Sequence, residues 1–413
     1  METITLNPVK TPDKSVRLAA LFVISFLSCA FGGAISTMMS AYLPAVINDL
    51  RGHEGTTQLT DIGAYINSLF IFGWAAGGFL WGFVSDKIGR KNAMLLATLN
   101  YGIFTMLTGL MPGWGAVVVC RFISGFGVGG MMVVLFTLLT EAWPAKSREI
   151  VIGIVSISFP VGIFSAGLIS YFISSWREAF FIGIIPVILA IAGYWLLSES
   201  SSWLEHRSAK RNGNAVTENL FSGPNLKSLI SGAVIFGSML IGLWAIFSWL
   251  PTWIQTFFAT DARQQGSLSI MFLGMGGLTG GFFSGWMMKA MGLRTSLITC
   301  FVVCTVVSFV LFKTNNTFSN AVYYEIAVLA LFFGASQGIL SIYIPLMFAT
   351  NVRASATGIC FNAGRLLTGA AVLFVGVLVT SLGGYGNALF IFSFVFVIGL
   401  LAVLFFKNSL KQQ

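Results

Sequence analysis

Gly73-Trp-Ala-Ala-Gly77-Gly78-Phe79-Leu-Trp-Gly82 returns as Gly276-Gly-Leu-Thr-Gly280-Gly281-Phe282-Phe-Ser-Gly285, every glycine of the first stretch recurring 203 residues later. Gly89 and Gly292 stand at the same offset. Glycines four apart let helices approach closely, and packing alone explains the spacing within each stretch. It does not explain the shared register. A duplication does, so the chain reads as six helices followed by six. The polar stretch 199–228, with Gly213, Gly223 and Pro224, is the natural linker between expected bundles 1–198 and 229–413. The charged tail of the repeat is not copied: Lys289 stands where the first half has Asp86, and Leu293 where it has Arg90.

Composition makes those helices membrane spans. The chain has 413 residues, 56% of them hydrophobic and 9% charged, a balance foreign to soluble domains. Mean hydropathy is +0.87. Apolar runs of about 18–25 residues recur, each long enough for a ~30 Å hydrocarbon core. They place helices near 18–42, 60–83, 93–111, 116–138, 150–174, 178–198, 229–255, 267–288, 294–312, 322–346, 355–381 and 386–406. The period-2 alternation of a membrane β-barrel is absent. The expected fold is therefore all-α and integral to a membrane. The first 17 residues are polar and the first apolar run is long enough to stay as a span, so no cleaved leader is expected.

The net charge of +9 is distributed, not patched. With the N-terminus cytoplasmic, seventeen of the 23 basic residues fall on the cytoplasmic side. Arg51, Arg177, Arg263 and Lys313 fall outside, and two lie within spans. This is the positive-inside pattern, with both termini cytoplasmic. The basic charge orients the chain in a plasma membrane, in bacteria the inner one, and implies no nucleic acid. The five cysteines all fall in apolar spans and the two histidines in loops, so neither a disulfide framework nor a metal site is expected, and no cofactor.

The two intramembrane cations are Arg121 and Arg365, and no acidic residue lies deep in a span with them. A lone cation at a helix centre costs on the order of 2.5–3.5 kcal/mol or more, so such residues face a bundle interior or an aqueous cavity. Fixed positive charge without fixed negative charge favours an anion. Arg365 lies twelve residues beyond Arg353, which is ~18 Å of helix and near mid-bilayer. Its planar fork suits a carboxylate; the structural alternative is satisfaction by helix carbonyls. Arg121 sits nearer the outer end of the fourth span, where it either meets the anion or ties that helix to a neighbour.

Gly82-x-x-x-Asp86-Lys87-x-Gly89-Arg90-Lys91 resembles the loop that follows the second helix in the major facilitator superfamily. Arg121-Phe-Ile-Ser-Gly125-Phe-Gly127-Val-Gly129-Gly130, followed by Glu141-Ala-Trp-Pro144-Ala-Lys-Ser-Arg148, resembles helix 4 and its exit in the metabolite, sugar and organic-ion branches. Ser198-Glu199-Ser200-Ser-Ser-Trp203-Leu204 resembles the Pro-Glu-Ser-Pro-Arg-Trp-Leu stretch after helix 6, with both prolines and the arginine lost. Arg353-Ala-Ser-Ala-Thr357-Gly358, leading to Asn362-Ala-Gly-Arg365, is similar to helix 11 of aromatic acid:proton symporters and organic anion transporters. The resemblance implies two pseudo-symmetric six-helix bundles. It also implies a monomeric secondary transporter that imports an organic anion with protons, an aromatic acid or a dicarboxylate such as cis,cis-muconate. The departures are specific. The first span reads Phe31-Gly32-Gly33-Ala34-Ile35-Ser36-Thr37 where the symporters carry acids, and Leu346 and Ala349 replace the counterparts of Glu141 and Pro144. The family's usual proton site is thus missing.

Candidates to line the pocket with Arg365 and Arg121 are Ser36, Thr37 and Ser40 in the first span, Trp244, Trp249 and Trp253 in the seventh, Gln337, Ser341 and Tyr343 in the tenth, and Asn362 in the eleventh. For the tryptophans the alternative is a place at the bilayer interface. The expected inner gate comprises Gly82, Asp86, Gly89, Arg90, Glu141, Arg148 and Arg353, with Asp86 pairing Arg90 and Glu141 pairing Arg148. Rocking of two bundles about a central site is the expected mechanism. A membrane enzyme would need an interfacial catalytic cluster, which the chain lacks. Within transporters the rival is a sugar or other neutral metabolite carrier, or a facilitative anion uniporter; a cation site would want an intramembrane carboxylate.

Overall fold

Twelve helices long and apolar enough to cross a bilayer occur among the described residues of the computed structural model, which are 14–50, 56–200, 203–204, 223–259, 262–348 and 353–405. They are α1 (Lys14–Leu50), α2 (Thr56–Ile88), α3 (Arg90–Leu110), α4 (Trp114–Ala142), α5 (Arg148–Phe172) and α6 (Trp176–Leu196). Then follow α7 (Gly223–Gln255), α8 (Arg263–Met291), α9 (Leu293–Thr314), α10 (Ala321–Leu346), α11 (Arg353–Ser381) and α12 (Tyr385–Phe405). Each expected span is present. Helix α1 runs two turns beyond its expected end and through Pro44. The reason is burial: Leu43, Val46, Ile47 and Leu50 recur at helical spacing and are all buried.

The duplicated glycines do the same work in both halves. A Cβ at Gly73 or Gly77 of α2 would overlap the carbonyls of Phe122 and Phe126 on α4; at Gly276 or Gly280 of α8 it would overlap those of Ala327 and Leu331 on α10. Each pair lets two backbones touch along a stripe where any side chain would hold them apart. Gly89 and Gly292 precede α3 and α9 with φ of +103° and +79°, a region L-residues avoid.

Because the number of spans is even, the start of α1 and the end of α12 lie on one face, here called the terminal face. Opposite it, the seam between α1–α6 and α7–α12 is closed. Arg263 of α8 donates to the carbonyls of Ser170 and Ile173 at the end of α5 and to Ser174 Oγ. The hydroxyls of Ser170 and Ser267 meet at 2.8 Å, and Gly63 of α2 admits the ring of Trp249 from α7. Contact continues inward to Pro160 against Gly277 and to Gly78 against Asn362. One turn further, nothing lies within 4 Å of a Cβ built at Gly82, Gly153, Gly281 or Gly358. The seam is shut at the far face and splayed at the terminal face.

Candidate functional site

The middle of the seam gathers one residue from each of four helices. Arg365 of α11 holds its guanidinium 5.5 Å from the ring of Trp74 on α2. Trp74 also meets Trp244 of α7 edge-on at 5.3 Å and Phe159 of α5 at 5.7 Å. The Nη1 of Arg365 donates to Asn362 Oδ1 at 3.2 Å, and Asn362 lies against Gly78, whose missing side chain makes the room. An arginine over a tryptophan face is a cation–π contact; it leaves most of the guanidinium's five donors for another partner. Among the described residues neither Arg365 nor Arg121 forms an ion pair. The described acids, from Asp49 to Glu325, sit at helix ends or beyond them, as Asp61 and Glu141 do.

Arg121 is 1% exposed. Its Nη1 donates to the Ile35 carbonyl of α1 at 3.2 Å, its Cζ lies 4.0 Å over the Phe70 ring, and its Nε has no partner. Phe70 in turn meets Trp74 at 6.0 Å. The two arginines are therefore joined by an aromatic bridge along α2, Phe70 then Trp74. Neither ring was among the residues singled out from the sequence. Both lie in or one turn before the repeated glycine stretch of α2, but nothing in the sequence sets them apart from its other aromatics.

Other sequence candidates fall elsewhere. Ser36 and Thr37 donate to carbonyls of their own helix, Gly32 and Gly33, and Ser40 is buried. Tyr343 is buried in the packing of the second half. Trp249 closes the far seam, and Trp253 packs between Phe257 and Phe312. Ser341 bonds back to Gly338. Gln337 is half-buried with Nε2 unpartnered; it lies one turn from Phe333, which packs on Phe247 of α7. Arg365, Asn362 and Trp244 are the sequence candidates that the fold brings together.

At the terminal face Arg90 bridges Asp86 at 2.5 Å and Glu141 at 3.3 Å. The expected pairing of Glu141 with Arg148 is corrected. The second oxygen of Glu141 accepts from Ser200 Oγ at 2.6 Å, while Arg148 folds back to the Trp143 carbonyl at 3.1 and 3.2 Å across the tight turn before α5. The stretch after α6 joins the network. Glu199 Oε1 accepts from the Lys91 amide at the start of α3, Glu199 fills the space that Gly89 leaves, and Trp203 Nε1 donates to the Asp86 carbonyl. A carboxylate on the first amides of a helix is favourable by charge and by hydrogen bonding. Every member of this network belongs to the first half or to the stretch just after α6, none to α7–α12, and Gly82 stands open beside it. The side chain of Arg353 lies outside the described residues.

Residues 21–372 match the Major Facilitator Superfamily. The chain is 25% identical over 403 residues to the cis,cis-muconate transport protein of Acinetobacter baylyi, with 94% of each chain covered. It is 28% identical to the sialic acid transporter NanX of Escherichia coli, over 96% of this chain and 94% of that one. In fold it resembles the D-xylose–proton symporter, with a TM-score of 0.78 at 16% identity over 95% of this chain and 98% of that one. It likewise resembles the inward open xylose transporter XylE from E. coli, with a TM-score of 0.79 at 15% identity over 96% and 97% of the two chains.

Proposed function

The chain belongs to the major facilitator superfamily, and we propose that within it this protein is a secondary transporter that imports organic anions, aromatic acids or dicarboxylates, by rocking of two bundles about the Arg365 site. That it is a membrane transporter and not an enzyme follows from the family and its relatives. The observation that carries the anion reading is Arg365 at mid-seam: a guanidinium with donors to spare, set against the Trp74 ring that itself meets Trp244 and Phe159, and without an ion pair among the described residues. A neutral sugar does not need that charge in place; a carboxylate on a flat carbon skeleton uses both the fork and the aromatic wall. Two of the relatives are named for muconate and for sialic acid, which supports the class without naming the compound.

The terminal face is the cytoplasmic one in this reading, because the basic residues concentrate there. The structure then corresponds to a state open to the cytoplasm, and the Asp86–Arg90–Glu141 network is the half of an inner gate that waits for a partner. Proton coupling falls to an acid at a helix end or to the substrate's own carboxyl group, since the described spans hold no central carboxylate.

The test is uptake of carboxylates into proteoliposomes with Arg365 intact or replaced by Gln. Losing a charged hydrogen-bond donor costs about 1.5–3 kcal/mol, so apparent affinity falls about 10- to 100-fold. Unaltered carboxylate affinity in Arg365→Gln, or sugar uptake that survives it, rejects the anion reading. An inward proton gradient that fails to stimulate uptake rejects symport and leaves a uniporter.

A further inference from the structure

Along α2, the positions Asn67, Phe70, Trp74 and Gly78 form one stripe facing the seam, spaced three to four residues apart as a helix requires. Three of the four are matched. Phe70 carries the guanidinium of Arg121, Trp74 meets Trp244 and Arg365, and Gly78 receives Asn362. Asn67 is the exception: it is 5% exposed, and its Nδ2 has no hydrogen-bond partner. Gly63, one turn beyond it, touches Trp249 of α7, so Asn67 lies between two contacts with that helix and points the same way as Trp74, seven residues on.

The neighbouring helix brings a second unmatched donor to this level. The Phe70 carbonyl lies against Gly125 and the Trp74 carbonyl against Gly129, so α2 and α4 run in parallel register. One turn toward the far face, that register sets Ile66 opposite Arg121 and Asn67 at the same level, on the side of α2 that faces the seam. The Nε of Arg121 is likewise buried and unpartnered. Two buried N–H donors without a protein acceptor, one of them on a cation, thus occur at this level of the first half.

Building on the anion reading at Arg365, we infer that Asn67 is a further substrate-contacting residue. With Arg121 Nε it forms a second carboxylate subsite at the far end of the Phe70–Trp74 bridge, and the transporter reads both ends of an elongated dicarboxylate. Seven residues of helix separate Asn67 from Trp74, ~10 Å along the axis, which the reach of the side chains shortens to the span of a short conjugated diacid. In the present state the closed far half of the seam covers both donors; opening of that half presents them first to a molecule arriving from the far face.

The probes are trans,trans-muconate and sorbate, which share a six-carbon diene and differ in one end, carboxylate against methyl. Calorimetric titration of the purified full chain is expected to show the wild type binding muconate about tenfold more tightly than sorbate, and Asn67→Leu losing most of that preference with sorbate affinity held within about twofold. Asn67→Ala, which asks less of the packing, is expected to do the same. Equal wild-type affinity for the two probes overturns the inference and needs no variant, as does a preference that survives both substitutions. Arg365→Gln separates the two readings. If it weakens both probes while the Asn67 variants keep the muconate preference, only the second subsite fails. If it leaves both unchanged, the anion reading itself fails.

Discussion

Replacing Arg263 with Ala tests the far-face closure most directly. This arginine reaches from α8 to three oxygens at the end of α5, the Ser170 and Ile173 carbonyls and the Ser174 hydroxyl. These are the carbonyls a helix leaves unpaired at its C-terminus, and a cation there also meets the negative end of the helix dipole. A hydrogen bond to a charged group contributes about 1.5–3 kcal/mol. Arg263 is half-buried, and water can replace it on the freed carbonyls, so the three bonds together are discounted to about 1–2 kcal/mol. That is about a 5- to 30-fold shift of the equilibrium from closed toward open at the far face. Spin labels at the exposed positions Leu110 and Asn316, at or just past the far-face ends of α3 and α9, report the opening as a longer component in the distance distribution. Arg263→Lys keeps the charge without the fork and is expected to fall between. An Ala variant whose distance distribution matches wild type shows that apolar packing, not this arginine, holds the far face shut.

Two glycine pairs give further tests. At Gly89 an alanine meets both a backbone region worth about 1–3 kcal/mol of strain and the Glu199 carboxylate, whereas at Gly292 it meets the strain alone; Gly89→Ala is expected to lower the thermal midpoint more, and equal losses argue against the Glu199 clip. Gly78→Val drives a side chain into Asn362 and is expected to cut transport at least about tenfold through misplacement of a binding group, while Gly281→Val, 203 residues on and facing open space, leaves it near wild type. Equal effects of the two on uptake would mean that the Gly78–Asn362 contact does not shape the site.

Much of the site's placement was legible from residue depth. Counting from Arg353 puts Arg365 twelve residues into α11, and Asn362 follows because it sits one turn away on the same helix. The pairing of Glu141 was not legible. Three cations lie near it in sequence or motif, and the choice of Arg90 over Arg148 depends on how the turn at 143–147 directs Arg148 back on itself. The Ser198–Leu204 stretch was recognisable as a motif, yet its contact with loop 2–3 spans more than a hundred residues. Trp74 and Phe70 were hidden by composition, since one aromatic among 39 phenylalanines and 11 tryptophans carries no label of its own.

Local chemistry was enough for the spans, their number, the repeat and the two unmatched cations, because apolar length, glycine spacing and the cost of a charge in hydrocarbon act residue by residue. Tertiary structure decided what those residues face. The parallel register of α2 on α4 set an aromatic bridge between Arg121 and Arg365 and left Asn67 without a protein partner, while the contacts of α8 with α5 and of α7 with α2 shut the seam at the far face. Those outcomes depend on contacts between segments far apart in the chain, where one turn of helical offset exchanges a matched donor for an unmatched one.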